Sequence, residues 1–238
     1  MDAGAQIWRA AVRGELTLGT DFLPGTDLGF DSELGLDRRE YLDVYYLVYY
    51  PDTNWRITLD YLNYDESGNS VTDRELWASG ETILADVPLS TDMDIKALNV
   101  MAGYKLHDYR GIDYGLAVGL IGVDGESRIF ARQSAADPLV TDLTIKDDWS
   151  LLMPTVGGWW KYLSRTGLEL SIDGRGTWLR YKGSGAKYID TSAYVAYYFM
   201  DNLAAYGAYR YAWLDGKDDD VDFKIRFMGP ALGFWFKF

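Results

Sequence analysis

The 238 residues carry 36 acids against 23 bases, a net charge of −13, and are 16% aromatic with 19 Tyr and 9 Trp. That apolar and aromatic content excludes disorder, because ample surface can be buried against the entropy of ordering. The acid excess argues against a nucleic-acid backbone as partner, and the lack of Cys removes disulfides, thiol catalysis and Cys-ligated metals while suiting an exported chain. The longest aliphatic and Gly run, Gly115 to Val123, is nine residues, where a spanning helix needs about 20. Met1-Asp2 directly ahead of an alternating segment reads as a mature chain without a leader.

Alternation of period two runs through the chain. Trp8, Ala10, Val12, Leu16 and Leu18 alternate with Arg9, Arg13 and Glu15; Leu42, Val44, Tyr46, Val48 and Tyr50 alternate with Asp43, Tyr45 and Tyr49. After the turn-forming Pro51-Asp52-Thr53-Asn54, Trp55, Ile57, Leu59 and Tyr61 oppose Arg56, Thr58 and Asp60. The pattern returns over 98–106, 112–122, 152–162, 168–178, 193–199, 203–213 and 228–238, which predicts ten strands, with eight or twelve as alternatives. Short connections at 51–54, 107–111, 163–167 and 200–202 alternate with long ones near 19–40, 65–94, 124–148, 182–190 and 214–222. Such sorting predicts an all-β fold: an up-and-down antiparallel transmembrane β-barrel, one domain over 1–238.

Two partitions support a membrane setting. Beside the short turns the apolar phase carries Trp8, Tyr50, Trp55, Tyr104, Tyr114, Trp160, Tyr162, Phe199, Phe236 and Phe238, as an aromatic girdle requires. Trp178, Tyr209, Tyr211 and Trp213 supply part of a second ring toward the long loops. The five long loops hold 26 of the acids and 9 of the bases, so the acidity belongs to them and the remainder is slightly basic.

The C-terminal run from Ala231 to Phe238 resembles the terminal signal of bacterial outer-membrane β-barrel proteins, with Gly233, Phe236 and Phe238 matching and Ala231 standing where a polar residue is usual. The whole chain is similar to small proteobacterial outer-membrane barrels, with no one characterised family singled out. The resemblance implies recognition by a barrel-assembly machine, integral placement in the outer membrane and a lipid and lipopolysaccharide environment. Periplasmic termini follow from the short turns at their end.

With the apolar phase toward lipid, the lumen receives Arg9, Arg13, Arg56, Lys105, Lys161, Arg175, Arg210 and Lys237 with Glu15, Asp43, Asp60, Asp113, Glu169 and Asp173. Charges of both signs in a narrow, partly dry space are expected to pair, and Tyr41, Tyr45, Tyr49, Tyr194, Tyr198 and Tyr206 can add hydroxyl links. Ten strands lie near the side-chain-filled end of the barrel range, so a plugged lumen is expected, with a narrow porin-like channel as the alternative. Small inward residues, Gly115, Ala117, Gly119, Thr155, Gly157, Gly229, Ala231 and Gly233, would accommodate long Arg and Tyr side chains from the opposite wall.

No catalytic constellation is apparent. The one His, His107, falls in a short turn with Asp108, and Ser171 and Ser192 lack a His on their strands to act as base. No cofactor or metal is expected: the acidic run Asp215–Asp222 departs from EF-hand spacing and is interrupted by Lys217. Arg180, Lys224 and Arg226 break the inward rule near long-loop ends, where lipopolysaccharide phosphates could meet them. The expected role is therefore non-enzymatic, a structural or interaction protein acting through acidic extracellular loops. Loops 19–40 and 65–94, with Phe22, Leu23, Phe30, Leu34, Leu36, Leu76 and Trp77, are the candidate docking surfaces for a protein partner.

Overall fold

Alternation between two differently solvated faces is satisfied when a sheet closes on itself, and the computed structural model of the chain is such a closed sheet. It describes residues 2–19, 25–36, 39–50, 54–133, 141–181, 184–217 and 221–238, without the side chains of residues 2, 39–41, 43, 181, 184 and 221. The strands are β1 (Asp2–Leu18), β2 (Asp27–Gly29), β3 (Arg39–Tyr49), β4 (Trp55–Val71), β5 (Leu76–Ala78), β6 (Glu81–Ile83), β7 (Pro88–Tyr109), β8 (Ile112–Ala131), β9 (Leu143–Leu163), β10 (Leu168–Tyr181), β11 (Ser184–Met200), β12 (Leu203–Lys217) and β13 (Val221–Lys237). Ten of them, all but β2, β5 and β6, form the antiparallel barrel, closed where β13 pairs with β1. Both termini lie at the short-turn end, Asp2 opposite Lys237.

Strand count agrees with the sequence pattern, but the strands run further than the pattern suggests. β7, β8 and β9 are 22, 20 and 21 residues long, where crossing a bilayer takes about 9–11. Their outer halves therefore stand clear of the membrane. Two of the expected long loops dissolve in the same way: Tyr181 pairs with Ser184 across a two-residue connection, and Lys217 pairs with Asp222. Acids assigned to loops, such as Asp65, Asp92, Asp124, Glu126 and Asp148, are exposed residues of these extended walls. The expected turn 107–111 shrinks to Arg110-Gly111, both at positive φ (53° and 81°), as a two-residue hairpin turn demands.

Within the membrane-spanning half, β4 and β7 to β13 keep the expected phase. β1 and β3 invert it. Trp8, Ala10, Val12, Leu16 and Leu18 face the lumen and are buried, while Arg9, Arg13 and Glu15 are exposed on the outer wall. Leu42, Val44, Tyr46 and Val48 likewise point inward and Tyr45 and Tyr49 outward. The physical reason is that the side chains meeting these strands inside, Phe227 against Trp8 above and Trp235 against Tyr46 below, are themselves apolar or aromatic, so hydrophobicity marks the inside there.

That interior is built by the loops. β2 folds back and pairs with β1 over Glu15–Thr17, taking the place that β3 holds lower down. The chain then crosses to β4, where a Cβ on Gly68 would come within 2.5 Å of the Gly35 backbone, so the segment closes the gap above the short β3. Leu28, Phe30, Leu34 and Leu36 insert beside Leu16, Leu76, Ile83, Ile129 and Phe223 in one buried cluster. The β5–β6 hairpin lies across the mouth, tied by Ser79 N to Leu18 O (3.0 Å), Thr26 N to Trp77 O (2.7 Å) and Leu84 N to Gln133 Oε1 (3.4 Å). The loop apolar residues Phe30, Leu34, Leu36 and Leu76 are thus core rather than docking surface, and Phe22 and Leu23 lie outside the described residues.

Truncating the loop anchor tests this packing. Phe30→Ala, which empties the space against Gly14, is expected to destabilise the barrel by about 3–5 kcal/mol, read as a lower midpoint in denaturant unfolding in detergent micelles.

Candidate functional site in the lumen

Four charged side chains meet at mid-barrel. Asp60 comes from β4, Arg175 from β10, Asp190 from β11 and Arg210 from β12, each inward by strand phase and none more than 8% exposed. Arg210 grips Asp190 with two bonds, Nε to Oδ1 at 3.0 Å and Nη2 to Oδ2 at 2.6 Å, and reaches Asp60 Oδ1 at 3.0 Å. Arg175 closes the ring through Asp190 Oδ2 (2.5 Å) and Asp60 Oδ2 (2.9 Å). Tyr188 Oη donates to Asp190 Oδ2 at 2.9 Å. Two guanidiniums and two carboxylates cancel, which is the condition for keeping ions out of water. Arg210 also lies 5.2 Å from the Trp8 ring, so Trp8 belongs to this layer and not to the girdle.

Below the quartet the lumen is polar and aromatic. Ser192 donates to Asp173 at 2.6 Å, and the Tyr194 and Tyr198 hydroxyls each reach Glu169 at 3.2 Å, with Lys161 Nζ 3.9 Å away. Lys237 Nζ sits 4.0 Å over the Tyr198 ring. Tyr46, Tyr50, Tyr194 and Tyr198 pack on Trp235, Tyr206 and Val48, which places Tyr50 too on the inner side. Near the turns Lys105 bonds Asp108 at 3.0 Å and faces Asp113 at 3.5 Å, and Trp159 Nε1 donates to Asp113 at 2.7 Å. The Arg56 guanidinium stacks 3.4 Å over Trp159. Here the glycine wall finds its use: Cβ atoms on Gly103 and Gly115 would meet the Trp159 ring at 2.7 and 2.3 Å. The filler comes from one and two strands away on the same wall rather than from the opposite wall.

Two small cavities flank the quartet, one of about 40 Å³ on the Tyr206–Trp235 side and one of about 30 Å³ beneath the apolar core, and Asp60 and Arg210 line both. Each has room for on the order of one or two waters. Above them the apolar cluster and the hairpin fill the barrel.

The structure thus brings together Asp60, Arg175 and Arg210, and separately Lys161 with Glu169, Lys105 with Asp113, and Asp173 with Ser192. Arg9, Arg13 and Glu15 leave the network altogether, and the Asp43 side chain lies outside the described residues. Sequence reasoning missed Asp190 by placing it in a loop, although Tyr188, Asp190, Ser192 and Tyr194 share one phase, a signal that the strand extends. Trp55, Tyr104, Tyr114, Trp160, Tyr162, Phe199, Phe236 and Phe238 stand exposed on the outer side. Gly233 leaves room for the Tyr206 ring, which a Cβ there would meet at 2.6 Å. Arg180, Lys224 and Arg226 are exposed. His107 stacks on Tyr114 at 5.2 Å, and no group of three His, Cys, Asp or Glu converges among the described residues.

No family model and no curated protein matches the chain. Among solved structures it is similar to the outer membrane protease OmpT from Escherichia coli, at 10% identity and a TM-score of 0.65, covering all of this chain and 96% of that one. It is also similar to the translocator domain of the autotransporter NalP from Neisseria meningitidis, at 10% identity and a TM-score of 0.48, covering all of this chain and 88% of that one. The fold is that of small bacterial outer-membrane β-barrels.

Removing one member of the quartet should be far costlier than removing a balanced pair. Asp190→Asn leaves two guanidiniums on one carboxylate and is expected to lower stability by about 3–5 kcal/mol. Asp60→Asn combined with Arg210→Gln is expected to cost less than the sum of its single changes, measured as a double-mutant cycle of unfolding free energies.

Proposed function

We propose that the chain is a non-conducting outer-membrane barrel that acts through its outer wall and rim as a structural or interaction protein, not as an enzyme. The observation that carries this reading is the double closure of the lumen, by the Asp60–Arg175–Asp190–Arg210 ring at mid-height and by the apolar cluster and hairpin above it. A solute would have to break two bidentate or bridged ion pairs and then unpack an apolar core. The termini and short turns face the periplasm, and the barrel-assembly machinery reads Gly233, Phe236 and Phe238.

Support for a non-enzymatic role comes from how the candidate groups are engaged. Ser192 donates to Asp173 with no His on its strand or the next, and Asp60 and Asp190 are saturated by guanidiniums. With the loop apolar residues consumed internally, the surface left for a protein partner is the acidic extended wall of β4 and β7 to β9. Outside the membrane, lipopolysaccharide surrounds the lower edge of that wall and the bases Arg180, Lys224 and Arg226.

In planar bilayers the purified protein is expected to be electrically silent; reproducible single-channel steps would instead favour the narrow-channel reading. Replacing Phe238 by Ala should lower the fraction assembled into outer membranes, measured by heat-modifiable gel mobility, and unchanged insertion would remove the terminal-signal assignment. Turnover of lipid A, phospholipid or peptide by the wild-type protein would overturn the non-enzymatic role.

A further inference from the structure

Register decides which residues of opposite walls stand at one level. The row of cross-strand partners that starts at Arg226 on β13 passes Val118 on β8 and reaches Tyr49 on β3. Tyr49 is one residue beyond Val48, whose row runs through Asp2 to Lys237, so the circuit closes at Phe238, twelve residues below its start. Half a circuit therefore slips by six. β8 and β13 stand five places apart in the ring of ten, on opposite walls. Asp124 is thus level with Arg226, and by the same count Glu126 is level with Lys224 and Val118 with Leu232.

Matching levels carry unlike features. On β8 the exposed side chains of Leu116, Val118 and Leu120 stand above small neighbours, Gly158 beside Leu116 and Ala102 beside Val118. Level with them on the opposite wall, Phe234, Leu232 and Pro230 line a groove of about 720 Å³ with Ala5 and Ala205, and Arg9 lies at its head. Higher up, Asp65, Asp94, Glu126 and Asp148 face outward directly across from one another on β4 and β7 to β9. The rows on either side add Asp92 and Asp124 with Lys96, Arg128 and Lys146, so this wall sets six acids against three bases. Over three rows at the corresponding levels, β1 and β11 to β13 carry Arg13, Lys187, Lys217, Lys224 and Arg226 against Glu15, Asp215 and Asp222, with Asp31 bordering them beyond β1. Like charges set across from each other weaken a sheet, and an opposing wall of the other sign offsets them.

Copies inserted in one membrane share an orientation and a depth, so only surfaces at matching levels can meet. We propose that copies of this chain associate side by side in the outer membrane, the β8 ridge of one seated in the β1–β13 groove of the next and its acidic rows against that copy's bases. Lipid tails are as apolar as the ridge, so close packing in the groove decides the fit at membrane depth. The charged rows above it select which wall meets which. Because the two surfaces lie on opposite walls, the contact is heterologous and repeats by translation into open rows. A two-fold pair through either wall would instead set like charges together. The inference rests on the proposed interaction role of the barrel and names a second copy as the partner.

The chain has no Cys, so introduced thiols report the contact. Full-length chains carrying Val118→Cys are mixed with chains carrying Leu232→Cys in phospholipid vesicles, checked for folding by heat-modifiable gel mobility, and treated with a short bis-maleimide. Cross-linked dimer is expected at a yield roughly ten-fold above that of either variant alone. It should exceed by as much the yield of Val118→Cys mixed with Ile172→Cys, an exposed position on β10 off both surfaces. Adding Lys224→Glu and Arg226→Glu to the Leu232→Cys chain should lower the yield roughly ten-fold, about 1.4 kcal/mol of association. Adding Glu126→Lys and Asp148→Lys to the Val118→Cys chain should then restore it. Equal yields in all mixtures, dimers formed by one variant alone, or charge reversals without effect and without rescue would overturn self-association. Single-channel recordings on the same vesicles keep the two ideas apart: conductance would sink the non-conducting reading, whereas missing cross-links remove the second copy as partner and leave that reading standing.

Discussion

A buried charge must find its opposite, and four of them meeting across the lumen set the terms for the whole barrel. Asp60 and Arg210 belong to strands on facing walls, 150 residues apart in sequence, and their 3.0 Å contact exists only if every intervening strand holds its register. A one-residue slip of β11 would turn Asp190 to the lipid side and leave two guanidiniums facing one carboxylate. The quartet therefore acts as a check on alignment as well as a barrier. It also divides the interior into a lower chamber of tyrosines and paired charges and an upper chamber that is mainly apolar.

These two chambers explain what could be read from the sequence and what could not. Over β4 and β7 to β13 the membrane-level residues contrast lipid with a polar lumen, and alternation alone gives the right phase for Arg56, Asp60, Lys105, Glu169, Arg175 and Arg210. On β1 and β3 the contrast reverses, because Trp8, Val12, Leu42 and Val44 meet an apolar interior while Arg9 and Arg13 face outward. Periodicity reports two faces but carries no label for which is inside. Nothing local in Leu42–Tyr50 says that Phe30 and Leu34 will fold back to cover that strand's upper neighbours.

Length was the second thing the pattern understated. Strands that continue above the bilayer are wetted on the outside and packed on the inside, and their acids look like loop composition. Asp190 was hidden by this: flanked by Gly183, Gly185 and Lys187, it reads as a turn residue, although Tyr188 and Ser192 on the same phase continue the strand. The outward-facing aromatics were legible because their phase on β4 and β7 to β13 contrasts with a polar lumen, and the exceptions, Trp8 and Tyr50, are those claimed by the lumen.

The unequal height of the staves has a consequence in the plane of the membrane. β7, β8 and β9 run to 20 residues or more, while β10 to β13 and β1 stop at 14 to 17. The tall side carries Asp92, Asp94, Asp124, Glu126 and Asp148 on its upper outer wall beside Lys96, Arg128 and Lys146, and the low side carries Arg13, Lys187, Lys224 and Arg226 near its upper edge beside Glu15 and Asp215. Such a barrel has a front and a back. The two sides differ in height, so the molecule presents a preferred azimuth to its neighbours, and two copies meeting front to back would bring unlike walls together, whereas a two-fold pair would bring like walls together.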